Sequence, residues 1–124
     1  MSTILLSIKP EYSKLIFDGT KKYEFRKRLA QKKVDKIIVY SSSPVQRIIG
    51  EVNVIETLSM KPSTLWELTK KEAGISRAKF RKYYYKCKEA YAYKLGDFII
   101  YDTPKTLYDF GLKQAPQSFV YIND

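Results

Sequence analysis

The sequence predicts an α+β fold whose strands form a mixed β-barrel. Strand-like segments follow one another with few helices between them, in the order strand, helix, three strands, a pair of helices and three strands. This order favours a mixed α+β architecture over a doubly wound parallel sheet. Gly50 lies inside the fourth strand-like segment, where it predicts the bulge or sharp bend that a barrel corner needs. The chain has 124 residues, and we expect residues 1–124 to form one domain.

The first half of the chain contains one short helix among its strands. Pro10 suits the first turn of that helix, because its fixed backbone angle is already helical. Gly19 follows the last apolar residue of the helix, where a left-handed residue commonly ends one. The strands predicted for this half are residues 3–8, 21–28, 36–41 and 46–56.

Two helices are predicted at about residues 62–87, as an insertion that covers one end of the barrel. Thr64 and Glu67 have the spacing of a capping box at the start of the first helix, and Gly74 ends it. The second helix is predicted over about 76–87, with a buried apolar stripe at helical spacing. That stripe consists of Phe80, Tyr83, Tyr84 and Cys87. Three further strands are predicted at 89–95, 97–102 and 117–122.

The charge balance indicates a polyanionic partner. The chain has 23 lysines and arginines against 13 acidic residues, a net charge of +10, together with 11 tyrosines. A basic domain raises the local concentration of polyanions, and aromatic rings can stack on bases. RNA or a nucleotide-like ligand is therefore the expected partner, with duplex DNA as a further possibility. A basic surface that only aids solubility is the alternative interpretation.

The composition also removes several classes of chemistry. The chain has no histidine and one cysteine, Cys87. It therefore lacks the Ser-His and Cys-His nucleophile pairs, histidine metal sites and cysteine zinc clusters. We expect no metal and no cofactor. No apolar run reaches the roughly 20 residues that cross a bilayer, and the first residues lack the pattern of a signal peptide. A cytoplasmic protein without a membrane partner is expected.

The segment at residues 19–26 is the most informative in the sequence, and it reads G-x-K-x-x-E-x-R. Glu24 and Arg26 are two apart on a strand and share one face. Lys21 lies at the start of that strand, within reach of the same space. A carboxylate between two cations stays ionised, and the remaining positive charge can bind an anionic ligand. The alternative is a solvated, self-neutralising strand face. For the cleft we expect Arg26 to be exposed, so that charge reversal there weakens RNA binding and changes stability by less than about 0.5 kcal/mol; a variant that unfolds would instead indicate a buried structural pair with Glu24.

This motif and three other segments resemble the ASCH family, whose fold is a PUA-like β-barrel. The other segments are residues 39–44 (VYSSSP), 49–51 (IGE) and 115–119 (APQSF). The resemblance implies a cleft between the first helix and the barrel that binds RNA or a modified nucleoside. Lys21, Glu24 and Arg26 match the family motif. Lys9, Ser42, Ser43, Gln117 and Ser118 lie in segments that the resemblance places at the same cleft, although residues 42–44 also suit a tight turn without a ligand.

An enzymatic function is the second interpretation. Some small ASCH relatives hydrolyse an N-acylated cytidine with a lysine, a threonine nucleophile and a distant glutamate. Lys21 matches that lysine, but Glu24 occupies the threonine position and the glutamate falls near Ala73. The nucleophile of those relatives is therefore absent. What the resemblance leaves for an enzyme acting on RNA or nucleosides, amidohydrolase-like or ribonuclease-like, is Lys21 and Glu24 as an acid–base pair.

A DNA-binding regulator is the third interpretation. The two helices at residues 65–85 have the lengths and spacing of a helix-turn-helix, with Arg77 and Lys79 near the start of the second helix. The sequence leaves the oligomeric state open.

Overall fold

The structure is a computed structural model that describes residues 2–122. Its strands are β1 (Ser2–Ile8), β2 (Tyr23–Arg26), β3 (Val34–Ser41), β4 (Arg47–Met60), β5 (Ala90–Lys105) and β6 (Phe119–Ile122). Its α-helices are α1 (Pro10–Phe17), α2 (Pro62–Thr69) and α3 (Arg77–Tyr83). Short 3-10 turns follow at Lys70–Glu72 and Tyr108–Phe110. None of the helices in the described residues is long and apolar enough to span a membrane.

The strands form one six-stranded mixed sheet in the order β2-β5-β4-β3-β1-β6. β1 pairs with β3 in parallel, and the other neighbouring pairs are antiparallel. The predicted α+β class, the helix after β1 and the two helices within 62–87 are confirmed. Gly50 lies at register shifts toward both neighbours. A side chain would not fit there, because a Cβ would overlap the Ile99 carbonyl oxygen and lie 2.8 Å from the Phe17 ring.

Several predicted boundaries are wrong. The two strands predicted at 89–95 and 97–102 are one continuous strand, β5. The strand continues through Gly96, where the absent side chain leaves room for Ile55, 3.0 Å from an ideal Cβ. β4 also extends beyond residue 56 to Met60, since its last residues pair with the first residues of β5. α3 ends at Tyr83 instead of 87, shortly before Lys86 takes a left-handed backbone angle.

The helical pair packs on the sheet and covers one end of it. Leu65 of α2 and Phe80 of α3 are buried against Tyr23 and Phe25 of β2. The Phe25 and Phe80 rings lie 5.1 Å apart in an edge-to-face arrangement. The predicted apolar stripe of α3 is confirmed at Phe80 and Tyr84 and is wrong at Tyr83, which is 36% exposed. This packing supports the interpretation of the pair as an insertion, and it holds α3 beside β2.

Candidate functional site

A cleft of about 570 Å³ lies between α1, β2, the end of β1 and α3. The motif strand β2 forms its floor, and the two helices form its walls. Its polar and aromatic lining residues include Ser7, Lys9, Glu11, Tyr12, Lys21, Glu24, Arg26, Lys27, Lys79, Lys82 and Tyr83. The cleft therefore brings together the three residues of the G-x-K-x-x-E-x-R motif, as the sequence predicts for their spacing.

Lys21 is the most enclosed cation of the cleft, with 3% of its surface exposed. Its Nζ donates a hydrogen bond to the Ala73 carbonyl oxygen at 2.7 Å. The same amine lies 4.8 Å from the centre of the Phe25 ring and 5.2 Å from that of Tyr12. Gly74 makes this position available: its φ is +64°, and a Cβ there would lie 2.6 Å from the Lys21 Cβ and Cγ. The lysine stem thus passes directly under a residue without a side chain.

Burial lowers the pKa of Lys21 from its ordinary value of 10.5 to about 8. Loss of hydration disfavours the charged ammonium, and the positive charge of Arg26 acts in the same direction. The carboxylate of Glu24 opposes both effects. A lysine with a pKa near 8 is partly neutral close to neutral pH, whereas an ordinary lysine stays protonated there.

Glu24 and Arg26 form an ion pair on the cleft floor. The Arg26 Nη2 and Nε atoms donate to the Glu24 Oε2 at 2.9 and 3.1 Å. Nη2 also donates to the Ser7 carbonyl oxygen at 3.0 Å, which joins β2 to β1. Only 15% of the Arg26 side chain and 9% of the Glu24 side chain are exposed. The expectation of a solvated strand face is therefore wrong, because the walls of the cleft cover this face of β2.

The rim of the cleft is cationic and aromatic. Lys79 and Lys82 reach it from α3, and Lys27 lies with its Nζ 5.0 Å from the centre of the Tyr83 ring. Glu11 adds one negative charge to the rim, 3.4 Å from the Lys79 Nζ. Positive charges around an aromatic ring are the features that bind single-stranded nucleic acid.

The structure separates the other predicted site residues into two groups. Lys9 lines the cleft with the motif residues, whereas Ser42, Ser43, Gln117 and Ser118 do not. The Ser42 amide donates to the Ile8 carbonyl at 2.9 Å, and Ser43 is exposed in the turn that follows.

The C-terminal segment approaches the cleft edge through its backbone. The Ser7 Oγ donates to the Pro116 carbonyl at 2.8 Å, and the Ser7 amide donates to the Ser118 carbonyl at 3.4 Å. Gln117 and Ser118 are exposed beside this contact. They are therefore neighbours of a lining residue and do not line the cleft themselves.

The sequence did not indicate the contribution of α3 to the cleft. Ile75, Lys79, Lys82 and Tyr83 all face it. Lys79, Lys82 and Tyr83 have the spacing of one helical face, and Ile75 lies just before the helix; this spacing is the signal that could have found them. Tyr83 was assigned to the buried stripe of the helix instead, and Lys79 to the DNA-binding interpretation. Ala73, where the resemblance placed a catalytic glutamate, contributes only its carbonyl oxygen.

Residues 6–97 match the family model described as ASCH domain. The chain belongs to the ASCH domain family. The crystal structure of the ASCH protein from Zymomonas mobilis has a TM-score of 0.91 to this ASCH domain, with 27% identity over 99% of this chain and 89% of that one. A mutant of the same Zymomonas protein gives a TM-score of 0.91 with 26% identity and covers 100% of this chain and 92% of that one. The ASCH fold, predicted from four sequence segments, is confirmed over the described residues.

Two curated relatives are similar to this ASCH domain in sequence. An ASCH domain-containing ribonuclease from Zymomonas mobilis is 31% identical over 94 residues, which are 75% of this chain and 64% of that protein. A Ureaplasma parvum protein named ATP synthase subunit alpha is 31% identical over 121 residues, 97% of this chain and 15% of that protein. The chain therefore spans less than two thirds of the length of either curated relative.

The acidic side chains of the described residues form no metal-binding cluster. Within residues 2–122, no three His, Cys, Asp or Glu side chains lie close enough together to hold a metal ion. Glu24, the carboxylate on the cleft floor, has Arg26 as its partner. The chemistry that the cleft offers is thus that of a lysine of lowered pKa beside a fixed carboxylate–guanidinium pair.

Proposed function

We propose that this ASCH domain binds single-stranded RNA in the cleft and cleaves it, with Lys21 and Glu24 as the acid–base pair. The observation that carries the proposal is the buried amine of Lys21, with a pKa of about 8, on the floor of a basic and aromatic cleft. Perturbed titratable groups in clefts are candidates for proton transfer. The similarity to an ASCH domain-containing ribonuclease supports RNA as the polymer.

The reaction that fits these groups uses the 2′-hydroxyl of the RNA as nucleophile. The 2′-oxygen attacks the adjacent phosphorus, Glu24 accepts the hydroxyl proton, and the bond from phosphorus to the 5′-oxygen breaks. The Lys21 ammonium gives a proton to the departing 5′-oxygen. The products are a 2′,3′-cyclic phosphate and a 5′-hydroxyl end, and water restores the proton of Lys21 and removes that of Glu24. Arg26 supplies positive charge beside the phosphate during the transfer.

The pH dependence follows from the role of Lys21. Its acid form is fully populated below a pH of about 8 and declines above it, so cleavage should slow on the alkaline side with a midpoint near that value. In Lys21→Arg the guanidinium stays protonated at these pH values. Any cleavage that this variant retains should therefore lose the alkaline decline.

The test is cleavage of a labelled single-stranded RNA, with Lys22→Ala as the matched control. Lys22 is the next residue along the chain, is exposed and does not line the cleft. We expect Lys21→Ala to lose at least about 100-fold in rate, the usual contribution of one proton-transfer group. Lys22→Ala should match the wild type, and a DNA of the same sequence should stay intact because it lacks the 2′-hydroxyl. Equal cleavage by wild type and Lys21→Ala would show that the proposal is wrong.

Binding of RNA or of a modified nucleoside without cleavage is the second candidate function. It is favoured by the fixed partners of the cleft groups: Ala73 holds the Lys21 amine, and Glu24 and Ser7 hold Arg26. Such preorganised groups also suit recognition of a ligand. Wild-type protein that binds RNA more tightly than Lys21→Ala and yields no product would support this function over the first.

A further inference from the structure

A second basic recess lies on the other side of α3. This groove has a volume of about 830 Å³ and lies between α2, α3 and the segment that leads into β5. The residues that form its floor and rim include Lys61, Trp66, Arg77, Arg81, Lys88 and Glu89. It shares no lining residue with the cleft, so the two recesses are separate features of the surface.

α3 is the wall that both recesses share, and it is basic on both faces. Lys79 and Lys82 face the cleft. Arg77 and Arg81 face the groove, together with the ring of Phe80 that lies between them in sequence. This division follows from helical geometry, because residues three and four apart share a face. Positive charge therefore continues from one recess to the other across a helix of seven residues.

The groove combines a net positive charge with an aromatic floor. Four of its lining residues are cations and two, Glu67 and Glu89, are carboxylates. Glu67 already holds Lys70 at 2.8 Å, and Glu89 accepts a hydrogen bond from Ser59. Trp66 is half-buried, with its ring 5.0 Å from that of Phe80. A part-exposed indole in a groove that two arginines also line is a surface on which a base can stack.

We propose that a single-stranded RNA bound in the cleft continues over α3 into the groove, where one of its bases stacks on Trp66. This inference rests on the proposed function, in that RNA occupies the cleft. A cavity of about 570 Å³ encloses a ligand of nucleotide or dinucleotide size, so the rest of a polymer must lie outside it. α3 offers the positively charged path away from the cleft, and arginines at its far side neutralise the phosphates that arrive there.

The fluorescence of Trp66 tests this path directly, because it is the only tryptophan in the chain. We expect a single-stranded 12-nucleotide RNA to quench the emission of Trp66, since the base stacks on the indole. A dinucleotide that fits within the cleft should leave the emission unchanged. Absence of quenching by the 12-nucleotide RNA at saturation, measured by anisotropy of a label on the RNA, would overturn the inference.

A pair of double variants identifies the contribution of the groove. Arg77→Ser with Arg81→Ser should weaken binding of the 12-nucleotide RNA roughly ten-fold at moderate salt and reduce the slope of log affinity against log salt by about 1.4. Dinucleotide cleavage should be unchanged. Lys33→Ser with Lys113→Ser is the matched control, because both lysines are exposed and line neither recess. Equal effects of the two double variants would overturn the inference.

The same measurements separate this inference from the proposed function. If the 12-nucleotide RNA quenches Trp66 in the wild type but not in the arginine double variant, and no RNA is cleaved, the RNA path is supported and the proposed cleavage is wrong. If Lys21-dependent cleavage occurs and the arginine double variant binds and cleaves the 12-nucleotide RNA like the wild type, the path is wrong and the cleavage is supported.

Discussion

The two faces of β2 are both buried, yet they bury different groups. On one face, Tyr23 and Phe25 pack against the apolar residues of the helical pair. On the other, Glu24 and Arg26 form the floor of the cleft, which Lys21 and Phe25 also line. Burial of apolar surface stabilises the fold, whereas burial of charge opposes it unless each charge has a partner. One short strand thus joins a face that stabilises the fold to a face whose charges are buried and depend on one another as partners.

The largest loss in the free energy of unfolding should come from a substitution on the apolar face. Phe80 is 2% exposed and contacts the rings of Phe25, Trp66 and Tyr84. Its replacement in Phe80→Ala should lower the free energy of unfolding by about 4 kcal/mol, because it removes the buried ring and leaves a cavity. Urea unfolding followed by circular dichroism measures the change. Tyr85→Ala is the control: Tyr85 is 73% exposed in the same segment, and its loss should stay within about 0.5 kcal/mol.

Breaking the ion pair of the polar face should lower the free energy of unfolding by less. Arg26→Met leaves the mostly buried carboxylate of Glu24 without its partner, so the free energy of unfolding should fall by about 3 kcal/mol. Adding Glu24→Gln should restore a large part of that loss, because the uncompensated charge is gone. Urea unfolding of both single variants and of the double variant gives the coupling. A loss below about 0.5 kcal/mol for Arg26→Met would indicate a solvated pair and remove the contrast between the two faces.

Replacement of Lys21 should change the free energy of unfolding the least, and it should raise it. The pKa of Lys21 is 10.5 in the unfolded chain and about 8 in the folded protein. Below a pH of about 8 the lysine is protonated in both states, and burial of its charge then opposes folding by about 3 kcal/mol. Lys21→Met removes this penalty but also the hydrogen bond to Ala73, which offsets about 1 kcal/mol. The variant should therefore be about 2 kcal/mol more stable at pH 7 and lose cleavage of RNA.

The dependence on pH distinguishes this effect from better packing alone. Wild-type stability should rise relative to that of Lys21→Met as the pH passes from about 8 to 10.5, since the folded lysine is then neutral while the unfolded one is still protonated. Urea unfolding at pH 7 and pH 10 measures both ends. A stability difference that stays constant over this window would indicate that Lys21 is not held with a lowered pKa.

The alternation of neighbouring residues was sufficient to predict the two faces of β2. The alternation of residues 21–28 assigned Tyr23 and Phe25 to one face and Glu24 and Arg26 to the other, and both assignments agree with the structure. Lys9, which the resemblance to the ASCH family assigned to the cleft, lines it. These features depend on neighbouring residues, which the sequence displays directly.

The features that the sequence missed depend on contacts between distant segments. Arg26 was expected to be exposed, but its cover comes from elements that include α3, more than 50 residues further along the chain. Lys79, Lys82 and Tyr83 join the cleft only because Phe80 and Tyr84 fix the other face of α3 against β2. Ser42, Ser43, Gln117 and Ser118 were assigned by segment matching, which gives proximity in the fold but not the direction of a side chain.

Gly74 does not line the cleft, yet it controls the chemistry of the cleft floor. An alanine there would bring a methyl group within 2.6 Å of the Lys21 stem, at a backbone angle that side chains rarely adopt. The lysine stem would have to shift, and if its amine left the Ala73 carbonyl for a more solvated position, its pKa would rise toward the ordinary value. One carbon atom added outside the site would thus change the acidity inside it.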